Sequence, residues 1–193
     1  MLRKLYDWVL HWAATPYGPW ALFLLAFSES SFFPIPPDVL LVALAVAIPR
    51  KSFKFAFISS IGSVLGGCFG YVIGWQFMQG IGEKIIAFYG LTDKIDYIGT
   101  LFRTYDAWAI GIAGFTPIPY KVFTIAAGMF QINFAVFVLA SLVSRSARFF
   151  LIGGLIYLFG PRIQTFIEKN LNLLVVAFTV LLISSFIVLK RFF

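Results

Sequence analysis

Charge is scarce in this chain. Of its 193 residues only 12% are charged, whereas 61% are hydrophobic and 24 are phenylalanine. Soluble domains carry about 25% charged and about 45–50% apolar residues, so a water-surrounded globule is excluded. Cysteine and histidine are nearly absent as well, with one of each. A lone cysteine, Cys68, closes no internal disulfide and reads as a small core residue of an apolar helix. His11 lies between Trp8 and Trp12 without a partner histidine, so it reads as an interfacial residue and no metal site is expected. HExxH and CxxC spacings, a phosphate-binding glycine loop and a Ser/His pair are all missing. An enzyme is therefore not expected, and neither is a cofactor. Lys+Arg number 15 against 8 Asp+Glu. That excess would suggest nucleic acid in a soluble protein; beside a membrane, basic flanks set orientation and meet anionic lipid, and no nucleic-acid partner is expected.

What the chain has instead is long charge-free stretches. Trp8–Ser28, Phe55–Gln79, Val122–Ser144 and Leu171–Leu189 approach or exceed the ~20 residues that cross a bilayer core. The expected fold is an all-α polytopic membrane protein, with residues 1–193 forming a single membrane domain. Arg3 and Lys4 precede an apolar run broken by Pro16, Gly18 and Pro19, which reads as a retained segment and not a cleaved signal. Within the domain, 1–16 is expected as an interfacial N-terminal helix and 17–80 as a first repeat. A polar connection over 81–104, a second repeat over 105–160 and a C-terminal transmembrane helix over 161–193 complete the expectation.

The repeats are suggested by two proline breaks. "FFPIPPD" at 32–38 interrupts an apolar stretch of about 34 residues, too long for one span and suited to two half-helices folded back. "FTPIPYKVF" at 115–123 interrupts a second such stretch. At an offset of about 83 the Pro-Ile-Pro triplets superpose and Asp38 meets Lys121. Each break is followed by an apolar half-helix and then an uninterrupted span, Phe55–Gln79 in one half and Asn133–Phe159 in the other. The spacing predicts two inverted repeats, each a re-entrant hairpin (17–49 and 105–129) plus a transmembrane helix, with the C-terminal helix outside the repeat. Pro34, Pro36 and Pro37 mark the first tip, and Pro117 and Pro119 the second. Irregular backbone at that depth has to be buried in protein or face water.

Five charges are embedded in apolar sequence: Glu29, Asp38, Lys121, Arg145 and Arg148. Inverted repeats would bring Asp38 and Lys121 together near midplane, where opposite charges offset part of each other's desolvation. The half-helices starting at Pro37 and Tyr120 aim free N–H groups inward, an arrangement that attracts phosphate, and Lys121 adds a full positive charge. The five residues form the candidate substrate or ion site; the alternative is that they only hold the hairpins in register. For Arg145 and Arg148 a water-lined face or snorkelling is equally open. Gly62, Gly66, Gly70 and Gly74 recur every fourth residue and form a packing stripe, either within the monomer or as the seam of a homo-oligomer.

Three segments resemble the DedA family of membrane proteins, also called the SNARE-associated or VTT-domain family. They are "ESSFFPIPPDVLLVALA" at 29–45, "GFTPIPYKVFTIAAG" at 114–128 and "SRSARFFLIGGLIYLFG" at 144–160. Length and "FTPIPYK" are similar to the YqaA-like branch. The resemblance implies two re-entrant hairpins in a bacterial inner membrane and lipid translocation, flippase- or scramblase-like, coupled to the proton gradient. Undecaprenyl phosphate or phospholipids would be the cargo. By position, Glu29 and Asp38 match the family's acidic residues and Lys121 its basic residue after the second proline motif. Where many members carry an arginine before that motif, this chain has Gly114 and Phe115. A lysine at 121 cannot grip phosphate bidentately as arginine does. A small-ion or solute transporter, or a non-transporting membrane adaptor, are the alternatives. Orientation is not fixed by the basic residues: Arg50, Lys51 and Lys54 would share a side with Arg162 and Lys169, against Lys84, Lys94, Arg103, Lys190 and Arg191 opposite.

Overall fold

A computed structural model describes residues 15, 17–32, 35–90, 92–116 and 118–160, and every regular element among them is a helix. The interfacial helix expected over 1–16 (Thr15 apart), the C-terminal helix over 161–193 and the prolines Pro34 and Pro117 lie outside the described residues.

The first break separates α1 (Gly18–Ser31) from α2 (Asp38–Ala47). Pro19 sits in the first turn of α1, where its missing N–H would have had no partner anyway. At the far end Phe32 still donates to the Ser28 carbonyl before the prolines stop the ladder. Ile35 and Pro36, each preceding a proline, are non-helical. Pro49 then opens a single 3₁₀ turn, Pro49–Lys51, that feeds α3 (Ser52–Phe77).

The helix does not end near Gln79. It passes through a π turn, Met78–Gly82, into α4 (Glu83–Phe88), giving one continuous helix of 40 residues from Pro49 to Phe88. The boundary expected between 80 and 81 thus falls inside a helix. Charge alone does not stop a helix, and Glu83 and Lys84 are exposed on its surface. The stop comes at Gly90, which takes the left-handed conformation (φ 62°) that glycine adopts without strain.

The connection continues as α5 (Thr92–Thr104) and leads into α6 (Asp106–Phe115). Thr116, ahead of Pro117, is extended (φ −85°, ψ 165°), as the proline ring requires. After the second break, α7 (Tyr120–Met129) closes in a Schellman turn. There Ile132 N–H reaches the Ala127 carbonyl and Gln131 N–H the Gly128 carbonyl, both at 3.1 Å, with Gln131 left-handed at φ 51°. Asn133 then caps α8 (Phe134–Gly160) by accepting from Ala135 and Val136 N–H at 2.9 and 3.2 Å.

α3 and α8 run antiparallel. Phe53 meets Phe150 and Tyr157, Ser63 meets Arg145, and Tyr71 meets Phe134 and Phe137. α1 and α7 lie along α3, on its glycine stripe. A Cβ on Gly62 would stand 2.6 Å from the Phe23 carbonyl; Gly66 faces Phe27, Gly70 faces Thr124 and Gly74 faces Ile125. All four glycines are buried by the chain's own helices, so the stripe is not free to serve as a dimer seam. One core gathers Leu22, Leu41, Leu44, Phe55, Phe149 and Ile156 around the first hairpin. A second gathers Ile110, Ala113, Tyr120, Ala127, Ile132 and Phe137 around the second.

The outside is apolar too. Phe57, Ile61, Leu65 and Phe69 of α3 and Leu139, Val143, Leu151 and Leu158 of α8 are exposed. The Pro49–Phe88 and Phe134–Gly160 helices are both long and apolar enough to cross a membrane.

Candidate functional site

α8 supplies two arginines three residues apart, hence on one face, and each bonds a carboxylate from the first hairpin. Arg145 Nη2 donates to Glu29 Oε2 at 2.8 Å. Arg148 grips Asp38 bidentately, Nε to Oδ1 at 3.0 Å and Nη2 to Oδ2 at 2.8 Å. The Asp38–Lys121 pair expected from the repeat is not formed. Asp38 belongs to Arg148, and among the described residues the Lys121 side chain has no ion-pair partner.

The Arg145 surroundings form a closed circuit. Its Nε donates to Ser63 Oγ at 2.6 Å; Ser63 and Ser30 hydroxyls bond at 2.7 Å; Ser30 Oγ donates to Glu29 Oε2 at 3.2 Å. With Ser30 committed to Glu29, Ser63 has to be the donor to Ser30, so each proton in the ring has one acceptor. The guanidinium lies 4.9 Å from the Tyr120 ring centroid and 4.8 Å from that of Phe149. Only 3% of the Arg145 side chain is exposed, against 15% for Glu29. Tyr120 itself is pinned through its hydroxyl to Ser141.

Arg148 has a different setting. Its Nη1 donates to the Thr116 carbonyl at 2.7 Å, with that of Phe115 farther off at 3.5 Å. Arg148 therefore joins the start of α2 to the end of α6, while Arg145 joins the end of α1 to the ring at the start of α7. Each arginine holds something from both proline breaks. Thr124 adds a third tie, its hydroxyl donating to the Ser30 carbonyl at 2.9 Å. Pro37 is fully buried, and Pro36 and Pro119 are half-buried beside this polar centre.

A sequence profile described as the VTT domain matches residues 33–158, taking in α2, both long helices and both arginines. The chain belongs to the VTT-domain family. This is the domain of the DedA, or SNARE-associated, proteins. Relatives extend over nearly the whole chain. A protein of Haemophilus influenzae is 34% identical over 187 residues, 97% of this chain and 97% of its own. One from Histophilus somni is 33% identical over 186 residues, 96% of this chain and 97% of its own. An archaeal protein from Methanocaldococcus jannaschii is 27% identical over 132 residues, 68% of this chain and 79% of its own. All three are described as uncharacterised. No solved structure matches the chain.

Several members of this VTT-domain site are not charged and escape a search for charges. Ser30, Ser63, Tyr120, Thr116 and Thr124 make the contacts that fix the arginines and breaks. For Ser30, Ser63 and Thr124 the signal was available in one respect: hydroxyls placed inside apolar helices beside a break or a glycine stripe need partners, and buried partners are polar. Thr116 acts through its main-chain carbonyl and Tyr120 through its ring face.

Proposed function

We propose that this membrane protein moves a lipid across the bilayer, a phospholipid or a polyprenyl phosphate, by admitting its head group between the two proline breaks. It acts as a carrier and not as an enzyme. The observation that carries this reading is the charge balance of the interior. Glu29 and Asp38 are each consumed by an arginine, and among the described residues Lys121, in the first turn of α7, has no carboxylate partner. A cation there is opposed by the helix dipole and by desolvation, so its presence is best explained by an anion that visits. A head-group phosphate is such an anion, and the apolar outer surface gives its acyl chains a path.

The two halves support a carrier architecture. Helices end at 31 and 115, restart at 38 and 120, and are followed by α3 and α8, all offset by about 83 residues. Equivalent helices that run antiparallel are what an inverted repeat produces. In this reading the chain is multi-pass in a bacterial inner membrane. Lys121 and the starts of α2 and α7 receive the phosphate, and Glu29 and Asp38 neutralise the site or take up protons that couple transport to the gradient.

The test is head-group accessibility of a labelled lipid in proteoliposomes, with and without an imposed pH gradient. Lys121→Gln removes no ion pair among the described residues, so it should fold normally and lose lipid movement, and Glu29→Gln should lose it too. Full activity of both at normal protein levels would leave the charges as scaffolding, the adaptor reading.

A further inference from the structure

We propose that Asp38 stands in for a ligand. Its carboxylate occupies an oxyanion site on the Nε/Nη2 edge of Arg148, and a phosphodiester takes that edge when Asp38 is displaced. The site rests on geometry alone. Only the source of the anion, a lipid head group, rests on the transport reading above.

Three features set this pair apart from Glu29–Arg145. The contact is bidentate, two parallel bonds of 3.0 and 2.8 Å, the same fork that arginine offers to two oxygens of a phosphate. Asp38 accepts no other side-chain hydrogen bond among the described residues, whereas Glu29 is also held by Ser30. The Arg148 side chain is 16% exposed against 3% for Arg145, while the two carboxylates are alike at 15%. Like Arg145, Arg148 has an anchor besides its carboxylate, Nη1 on the Thr116 carbonyl at 2.7 Å, so the edge keeps its place when Asp38 lets go. The Arg145 guanidinium is sealed in, and that of Arg148 is within reach of a second anion.

The surroundings suit the exchange. Asp38 begins the ten-residue α2, so an anion displacing it lies at the positive end of that helix. The exposed neighbours along the chain, Phe32, Ile35, Val39 and Phe115, are all apolar, which favours a lipid phosphodiester over a free anion. Among the described residues only Arg148 bonds Asp38. When Asp38 is displaced Arg148 keeps one positive charge, and one phosphodiester restores neutrality.

Dimethyl phosphate is the soluble probe, since it carries a single negative charge and the diester geometry of a lipid head group. Binding to the purified full chain in detergent is measured by calorimetry. Asp38→Asn, which removes the competing charge, should bind the probe about tenfold tighter than the parent. The gain should vanish in Asp38→Asn with Arg148→Lys, because an ammonium offers no fork. Should Asp38→Asn fail to fold, Asp38→Ser, which also frees the Arg148 edge, takes its place. No gain in a folded Asp38→Asn or Asp38→Ser overturns the proposal. A short-chain phosphatidylglycerol that competes with the probe assigns the site to lipid; probe binding without competition overturns the lipid source. Tightened binding in Asp38→Asn alongside failed lipid movement would keep this site and discard the transport reading.

Discussion

Arginine is required at 145 because the position serves four neighbours at once. Its Nε meets Ser63, its Nη2 meets Glu29, and its two faces are covered by Tyr120 and Phe149. Removing it strands a carboxylate in an apolar interior, which in soluble proteins costs about 3–5 kcal/mol. Arg145→Gln should therefore melt well below the parent in detergent, and Glu29→Gln with Arg145→Gln should recover much of the loss. A double variant no more stable than Arg145→Gln would show that the charges do not depend on each other. Ser63→Ala tests the circuit more gently: it leaves Nε without an acceptor and should cost about 1–3 kcal/mol. At this scale the sequence disclosed which residues matter but not whom they touch. Five charges in apolar sequence are visible at once. That Asp38 meets Arg148 and not Lys121 depends on how α8 is rotated about its axis, which residue spacing does not record.

Helix ends follow local chemistry, and here legibility divides sharply. Asn133 before Phe134 is a readable cap, and the starts expected at Pro37, Tyr120 and Asn133 lie within a residue of those found. The boundary expected between 80 and 81 falls inside a helix because Glu83 and Lys84 mark a polar surface and not a helix end; the residue that stops the helix is Gly90. Gln131 is an exception worth testing. A side chain in the left-handed region costs about 1–2 kcal/mol that glycine avoids. Gln131→Gly should leave the fold intact and raise the melting temperature; a drop would mean the side chain holds the turn. The glycine stripe responds in the opposite way. Gly66→Leu or Gly74→Leu drives a side chain into the backbone of Phe27 or Ile125 and should abolish a monodisperse fold. Near-normal melting of either would contradict the close approach of α1 and α7 to α3.

For the molecule as a whole, the crossed bracing makes the two hairpins one mechanical unit. Because Arg145 and Arg148 each hold both breaks, substituting one should loosen the assembly far less than substituting both, beyond additivity. On the carrier reading proposed above the hairpins are re-entrant, which fixes topology. In a background lacking Cys68, Tyr17→Cys and Lys51→Cys should label with an impermeant thiol reagent from one side, and Thr104→Cys and Gln131→Cys from the other. Labelling of either pair across the bilayer would rule its hairpin out. The two helix breaks were legible because proline motifs mark them; the bracing was not, because the tie is made by α8, which carries no break.

The 40-residue helix also measures depth. Between Lys54 and Glu83 it carries no charge, a stretch of about 42 Å at 1.5 Å per residue, close to the ~40–45 Å from headgroup to headgroup. With Lys54 and Glu83 each in a headgroup layer, Ser63 and the arginine bonded to it lie about 14 Å in from the Lys54 side. The polar centre is then off the midplane, about a third of the way through. On the carrier reading, a head group resting there has one short leg of its journey behind it and one long leg ahead, so the two directions of crossing are not equivalent.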